Sequence, residues 1–185
     1  EQSPRARIIE DCVLPVAREH NLPFAMMIGV TRALNPALKL AGDGLGASAL
    51  DPVIHLCAAY PQNKFMITLL ARENQHELCV VARKFRNLLP FGCWWFLNNP
   101  SLIEEMTRMR IELLGTSIIP QHSDARVLDQ VIYKWEHSRE IISKVLSFKY
   151  ADLVATGWAL REDEIRRDVQ LLLGGNFWNF LKLTL

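Results

Sequence analysis

The chain has 185 residues, 50% of them apolar, enough to bury a substantial core in one or two soluble domains. Its 21 basic and 20 acidic residues are interspersed and leave a net charge of +1, so no electrostatic footprint favours nucleic acid or anionic lipid as a partner. The longest strongly apolar run, residues 88–97, is about half the ~20 residues a membrane-spanning helix needs, and residues 1–7 are polar, which argues against a membrane span and a signal peptide.

Four short apolar segments, 24–29, 65–70, 89–95 and 116–120, read as buried strands, each followed by a turn and a helix-period stretch. Between the first two lies Gly42-Asp43-Gly44-Leu45-Gly46. It lacks the dinucleotide-binding pattern and a preceding strand, and reads as a flexible part of a long loop. Asp51-Pro52 and Asn99-Pro100 each place a capping side chain before a proline at the first helical position, and Asn74 with Glu77 resembles a capping box. Apolar stripes follow at Leu78, Val81, Ala82 and Phe85, and at Leu102, Met106, Met109 and Leu113, the second stopping at Gly115. A longer helix is expected over 125–147, with Leu128, Ile132, Trp135 and Ile142 inward and Lys134, Glu140 and Lys144 outward. From Tyr150 the pattern is helical to an aromatic end at Phe177, Trp178 and Phe180. The four cysteines, Cys12, Cys57, Cys79 and Cys93, form no CxxC pair and read as reduced core residues in a cytoplasmic protein.

A repeated βα pattern implies parallel strands with right-handed crossovers, whose C-terminal ends gather at one rim. A whole (β/α)8 barrel takes eight strands and about 250 residues. The fold expected here is therefore α/β: the C-terminal half of a TIM-type barrel over 1–149, with a helical tail over 150–185 packed on it. The open strand edges and apolar inner face of a half-barrel also predict self-association into a homo-oligomer.

Function is to be sought in the rim loops. They carry Arg32 and Asn35, then Arg72 and Glu73, then Trp94 and Trp95, and last His122, Asp124 and Arg126. Guanidinium groups bind carboxylates in bidentate fashion, and a carboxylate among cations stays ionised and can hold a metal or accept a proton, so the set points to an anionic ligand. Asp124, after Ser123 at a helix start, suits a structural role as well as a catalytic one, and Arg32 and Arg72 also suit solvated loop positions. Strand alternation sends one of Trp94 and Trp95 inward, where it serves the core. His55, His76 and His122 make no ligand set by spacing, and no HxH, HExxH or Cys/His cluster occurs.

Specific strings add to this reading. Phe91-Gly92-Cys93-Trp94-Trp95-Phe96 resembles the FGxxWWF-like seventh-strand segment of uronate isomerases, of the amidohydrolase superfamily, and His122-Ser123-Asp124-Ala125-Arg126 resembles their eighth-strand (S/T)DxR motif. Ile28-Gly29-Val30-Thr31-Arg32 is similar to the fifth-strand HIGxxR and Leu70-Ala71-Arg72-Glu73-Asn74 to the sixth-strand NPRDN. Glu136 and Arg139 resemble paired positions in the helix after the eighth strand, and 176–180 the aromatic end of the family.

The resemblance implies interconversion of an aldose hexuronate such as D-glucuronate with its ketose isomer, a proton moving between C2 and C1 through an enediol-like intermediate. It assigns Asp124 as ligand of a divalent metal, zinc being the expected ion, and with Arg126 as catalytic. Arg32, Arg72, Trp94 and Trp95 become substrate-binding residues. The first-strand HxH ligands of the family are absent from this sequence, and Met27 stands where the family has its fifth-strand His. The alternatives these departures keep open are a metal-dependent hydrolase of the same superfamily, or a non-catalytic binding or assembly module on the same scaffold.

Overall fold

A computed structural model describes residues 3–183 and 185. The chain enters through a helical stretch, α1 (Pro4–Ile8), one π turn and α2 (Leu14–Glu19). Ser3 caps α1 by accepting from Ala6 N–H at 3.3 Å, with Pro4 at the first position. Strand β1 (Pro23–Ile28) follows, then a hairpin of β2 (Val30–Thr31) and β3 (Gly44–Leu45), then α3 (Asp51–Ala59), β4 (Lys64–Leu69), α4 (Gln75–Ala82) and β5 (Leu88–Pro90). The remainder is helical: α5 (Pro100–Leu114), α6 (Leu128–Ala155), α7 (Glu162–Gln170) and α8 (Asn176–Lys182). Among the described residues no helix is long and apolar enough to cross a membrane.

β1, β4 and β5 form a parallel sheet in that order, Phe24 beside Phe65 and Phe65 beside Leu88. Side-chain alternation gives the sheet two apolar faces, as parallel strands require. Met26, Phe65, Ile67, Leu69 and Leu88 pack on Leu14 of α2, Val53 and Cys57 of α3, and Leu78 and Val81 of α4. Met66 and Leu89 look the other way, with Phe91 and Ile119, and the tail covers them with Phe177, Phe180 and Leu183. Polar bonds fasten the tail. Asn176 Nδ2 donates to the carbonyls of Thr116 and Ile118, and the Leu181 carbonyl accepts from Lys64 Nζ at 2.6 Å and Asn21 Nδ2 at 3.2 Å.

Several expectations are revised. The third strand ends at Pro90, because Gly92 takes a φ of +72° and turns the chain off the sheet before Trp94. The fourth is a single parallel bridge, Phe91 to Ile119, held by Gly92 N–H to Ile119 O at 2.7 Å and Ile119 N–H to Pro90 O at 3.1 Å. Pro120 lacks an N–H to extend it. The glycine-containing loop is not slack: 30–46 forms the two-stranded hairpin, tied by Asp43, which accepts from Ala33 N–H and the Arg32 guanidinium.

Asn99 caps α5 as expected, accepting from Leu102 N–H, but Asp51 lies inside the first turn of α3 rather than capping it. Asn74 makes no capping bond. Its amide pairs with both backbone groups of Ser48, at 2.8 and 3.0 Å, and so pins the loop before α3. The long helix starts at Leu128 and runs to Ala155, past the expected end. Leu128 and Ile132 are exposed, because α6 is buried only from Ser138 onward, where Ile142 and Leu146 meet Ile118 and Leu172. Three cysteines are buried and Cys12 is exposed, and burial pushes the Cys57 thiol up to about 12.

Truncating Phe180 tests the tail packing. Phe180→Ala should lower stability by about 3–5 kcal/mol, the usual cost of emptying a buried aromatic site, as read from urea denaturation. A loss under about 1 kcal/mol would show that the tail does not hold the sheet.

Candidate functional site

Because the strands are parallel, the segments leaving β1, β4, β5 and Ile119 emerge at the same rim. The closest meeting of predicted site residues there joins the last two segments. The Trp94 indole Nε1–H donates to Asp124 Oδ2 at 3.1 Å. Trp94 is buried, whereas Asp124 is exposed and holds a φ of +45°. Lys134 of α6 approaches from behind but binds main chain, donating to the carbonyls of Ser123 at 2.8 Å and Asp124 at 3.3 Å. Asp124 forms no ion pair among the described residues.

The other predicted residues are placed around this pair. Trp95, at φ +44°, begins a short 3-10 turn, half-buried, its ring stacked on Phe96 at 4.7 Å and tilted 6.1 Å from Trp94. Arg126 is exposed, and its backbone N–H donates to Gln130. Arg72 pairs with Glu105 of α5 at 2.9 Å, which raises the guanidinium pKa further. Arg32 pairs with Asp43, whose carboxyl is held below the usual carboxylate range first by the Ala33 N–H and then by Arg32. The two arginines expected to face Asp124 thus each hold an acid of their own. Met27 is half exposed on the face that carries Ala25 and Met66, in register with Thr68.

His122, two residues before Asp124, has its ring 5.1 Å from Phe91 and its Nε2 buried with no hydrogen-bond partner. Burial lowers its pKa and so favours the neutral ring, helped by the charges of Lys134 and Arg110 and opposed by Asp124. Thr68 Oγ1, buried on the face that also carries Phe91, likewise lacks a partner. Among the described residues no three His, Cys, Asp or Glu side chains converge as a metal site.

Sequence reasoning passed over the polar residues beneath the rim. Gln75, Arg110 and Gln121 are each no more than 1% exposed. Gln75 Nε2 donates to the carbonyls of Leu69 and Ala71 at 2.9 and 3.1 Å. Arg110 donates to Gly92 O at 2.7 Å and to Gln75 Oε1 at 2.8 Å. Gln121 accepts from Cys93 N–H at 3.0 Å and donates to Ser138 at 2.7 Å and Asn98 at 3.2 Å. A signal existed for one: Arg110 falls on the stripe of Ile103, Met106 and Thr107.

No protein-family model matches the sequence, and no curated protein does. Among solved structures, the chain is similar to a uronate isomerase from Bacillus halodurans, with 62% identity over 98% of this chain and a TM-score of 0.94. Over almost its whole length the chain is thus similar to a uronate isomerase. It spans 43% of the length of the Bacillus protein, consistent with a C-terminal portion. A uronate isomerase from Thermotoga maritima, 18% identical, covers 91% of this chain and is itself covered over 39%, with a TM-score of 0.79, and shows the shared fold.

Within the site, Gly92 is irreplaceable for two reasons. Its φ of +72° suits glycine, and a Cβ there would lie 1.9 Å from His122 Cδ2. Gly92→Ala should cost roughly 2–5 kcal/mol, from left-handed strain and overpacking, as a fall in the thermal midpoint. An unchanged midpoint would show that the turn is not seated on His122.

Proposed function

We propose that this chain is the catalytic-rim portion of a uronate isomerase, the half of a (β/α)8 barrel that carries its last four strands, and that it isomerises a hexuronate such as D-glucuronate once the preceding strands complete the barrel. The observation that carries the reading is the Trp94–Asp124 bond at the mouth of the parallel sheet, in a chain 62% identical to a uronate isomerase over nearly its whole length.

Aldose–ketose isomerisation needs a base beside C2 and positive charge near the developing enediolate oxygen. Asp124 suits the base. It is exposed at the mouth and fixed by a neutral N–H, and it is not neutralised by a cation among the described residues. Arg126, two residues on, is exposed and supplies a fork for the substrate carboxylate. Arg72 can join it: both members of its pair with Glu105 are partly exposed, and such pairs exchange partners at small cost. Arg32 is tied at its loop to Asp43, with its side chain 74% exposed, and offers its outer edge to the sugar. The Trp94 and Trp95 rings wall the sugar. Met27 has no proton to give or take, so proton transfer falls to Asp124.

A divalent metal of the zinc type fits this donor set as a partial site. The Asp124 carboxylate offers a hard oxygen ligand, and the remaining ligands would come from the first strands of the complete protein. When bound, the metal would supply Lewis-acid polarisation of the sugar oxygens.

The test is an assay of the complete protein with D-glucuronate, following ketose formation, for wild type and Asp124→Asn. The substitution should cut turnover at least about a hundredfold with the fold intact by circular dichroism. Near-wild-type turnover in the variant would remove Asp124 from the chemistry, and hydrolysis of lactones or amides without action on uronates would make the protein a hydrolase.

A further inference from the structure

The C=O of Gly92 and the N–H of Cys93 belong to one planar peptide unit. Both of its polar ends are held by buried side chains, neither of which lies on the strand itself. From α5, Arg110 Nη1 donates to the Gly92 oxygen at 2.7 Å, and from the segment after Ile119, Gln121 Oε1 accepts from the Cys93 N–H at 3.0 Å. Each clamp arm is itself braced. Gln75 accepts from Arg110 Nη2 at 2.8 Å while donating to the Leu69 and Ala71 carbonyls at the end of β4. Ser138 of α6 and Asn98 accept from Gln121 Nε2 at 2.7 and 3.2 Å.

A buried guanidinium is an expensive way to satisfy one carbonyl. Arg110 is 1% exposed, forms no ion pair with a carboxylate among the described residues, and has a buried Nε without a partner. Desolvating such a charge costs several kcal/mol, and an apolar side chain would fill the same space on the Ile103–Met106 stripe without that penalty. What the guanidinium adds is direction: a strong charge-assisted donor aimed at one peptide. That peptide begins the turn that delivers Trp94, and Gln121 is three residues before Asp124. The same two side chains thus register both partners of the Trp94–Asp124 bond.

We propose that Arg110 and Gln121 are positioning residues that clamp the Gly92–Cys93 peptide and thereby set the seat of the Trp94 indole on Asp124. Its effect on turnover rests on the isomerase reading; its effect on geometry does not. Neither residue touches substrate.

The test uses the complete protein labelled with ¹⁵N at tryptophan, with the Trp94 indole signal assigned by its loss in Trp94→Phe. Arg110→Met and Gln121→Met should each move the Trp94 indole N–H signal away from its wild-type position. Turnover of D-glucuronate should fall about a hundredfold in kcat with KM nearly unchanged, the scale on which an ångström of misplacement is felt. Arg110→Lys, which keeps a charged donor to Gly92, should recover the signal and most of kcat, a rescue that general destabilisation would not give. A folded Arg110→Met or Gln121→Met protein with an unmoved signal and wild-type kcat would overturn the clamp. Should Arg110→Met fail to fold, Gln121→Met and Arg110→Lys decide by the same criteria. A wild-type protein inert toward hexuronates would sink the isomerase reading alone, since the indole signal still reports the clamp.

Discussion

A parallel sheet whose strands all stop at one rim leaves peptide groups without ladder partners just beneath it, and buried peptide groups must be paired. In this chain, amide and guanidinium side chains meet that demand. Gln75 takes two carbonyls at the end of β4, Arg110 the carbonyl after β5, and Gln121 the next N–H. The opposite end of the sheet uses the same solution. Asn63 donates to Leu14 O at 2.7 Å, Asn87 to Cys57 O and Tyr60 O at 3.1 and 3.2 Å, and Asn176 to the carbonyls of Thr116 and Ile118. Side-chain amides carry a donor and an acceptor without a net charge, so they can join elements at both ends at modest desolvation cost.

The charges divide sharply between the two environments. Arg161–Asp163 and Arg166–Glu162 lie on the surface of the tail, where such pairs contribute little. Lys64 and Arg110 are buried, and both are solvated by carbonyls rather than carboxylates. Lys64 shows the consequence: burial lowers its pKa, and its bond to Leu181 O ties the start of β4 to the tail. Each cation therefore fastens one end of the central strand region to a neighbouring element, Lys64 below and Arg110 above.

Much of this was legible in the sequence, and the physical reason is periodicity. Segments 24–29 and 65–70 lie within a residue of β1 and β4, because an apolar run of six between turn signals has few other uses. The Asn99 cap was equally legible, since capping is local chemistry. The third and fourth strands were overextended because a run of apolar residues records burial and not pairing: 93–95 are largely buried, yet the turn at Gly92 takes them out of the ladder. Asn74 stands at the N-cap and donates to Glu77 Oε2 at 3.4 Å, but makes no capping bond to the backbone, for a related reason. Its side-chain oxygen, which a cap would need, accepts from Ser48 N–H 26 residues earlier, and no local pattern reveals Ser48. At the site, the structure joins Trp94 and Asp124 by a bond that the motifs did not specify, and the arginine ring did not form in this chain, because Arg32 and Arg72 pair with Asp43 and Glu105. The buried polar clamp escaped notice since each of its members reads alone as an ordinary helix or loop residue.

Holding Asp124 by an indole rather than by a cation suits the base proposed for it. A Lys or Arg partner would orient it and also occupy its charge, as Arg32 does for Asp43. The Trp94 N–H orients one oxygen without pairing its charge, and the Lys134 ammonium of α6 donates to the carbonyls of Ser123 and Asp124 instead. The backbone joins in: Asp124 and Trp95, both at positive φ without being glycine, lie on either side of this bond. Such conformations cost of order 1–3 kcal/mol each and persist only where surrounding contacts over-determine them. The clamped Gly92–Cys93 peptide and the braced Gln121 provide that over-determination, so the strain is concentrated on the two sides of the Trp94–Asp124 bond.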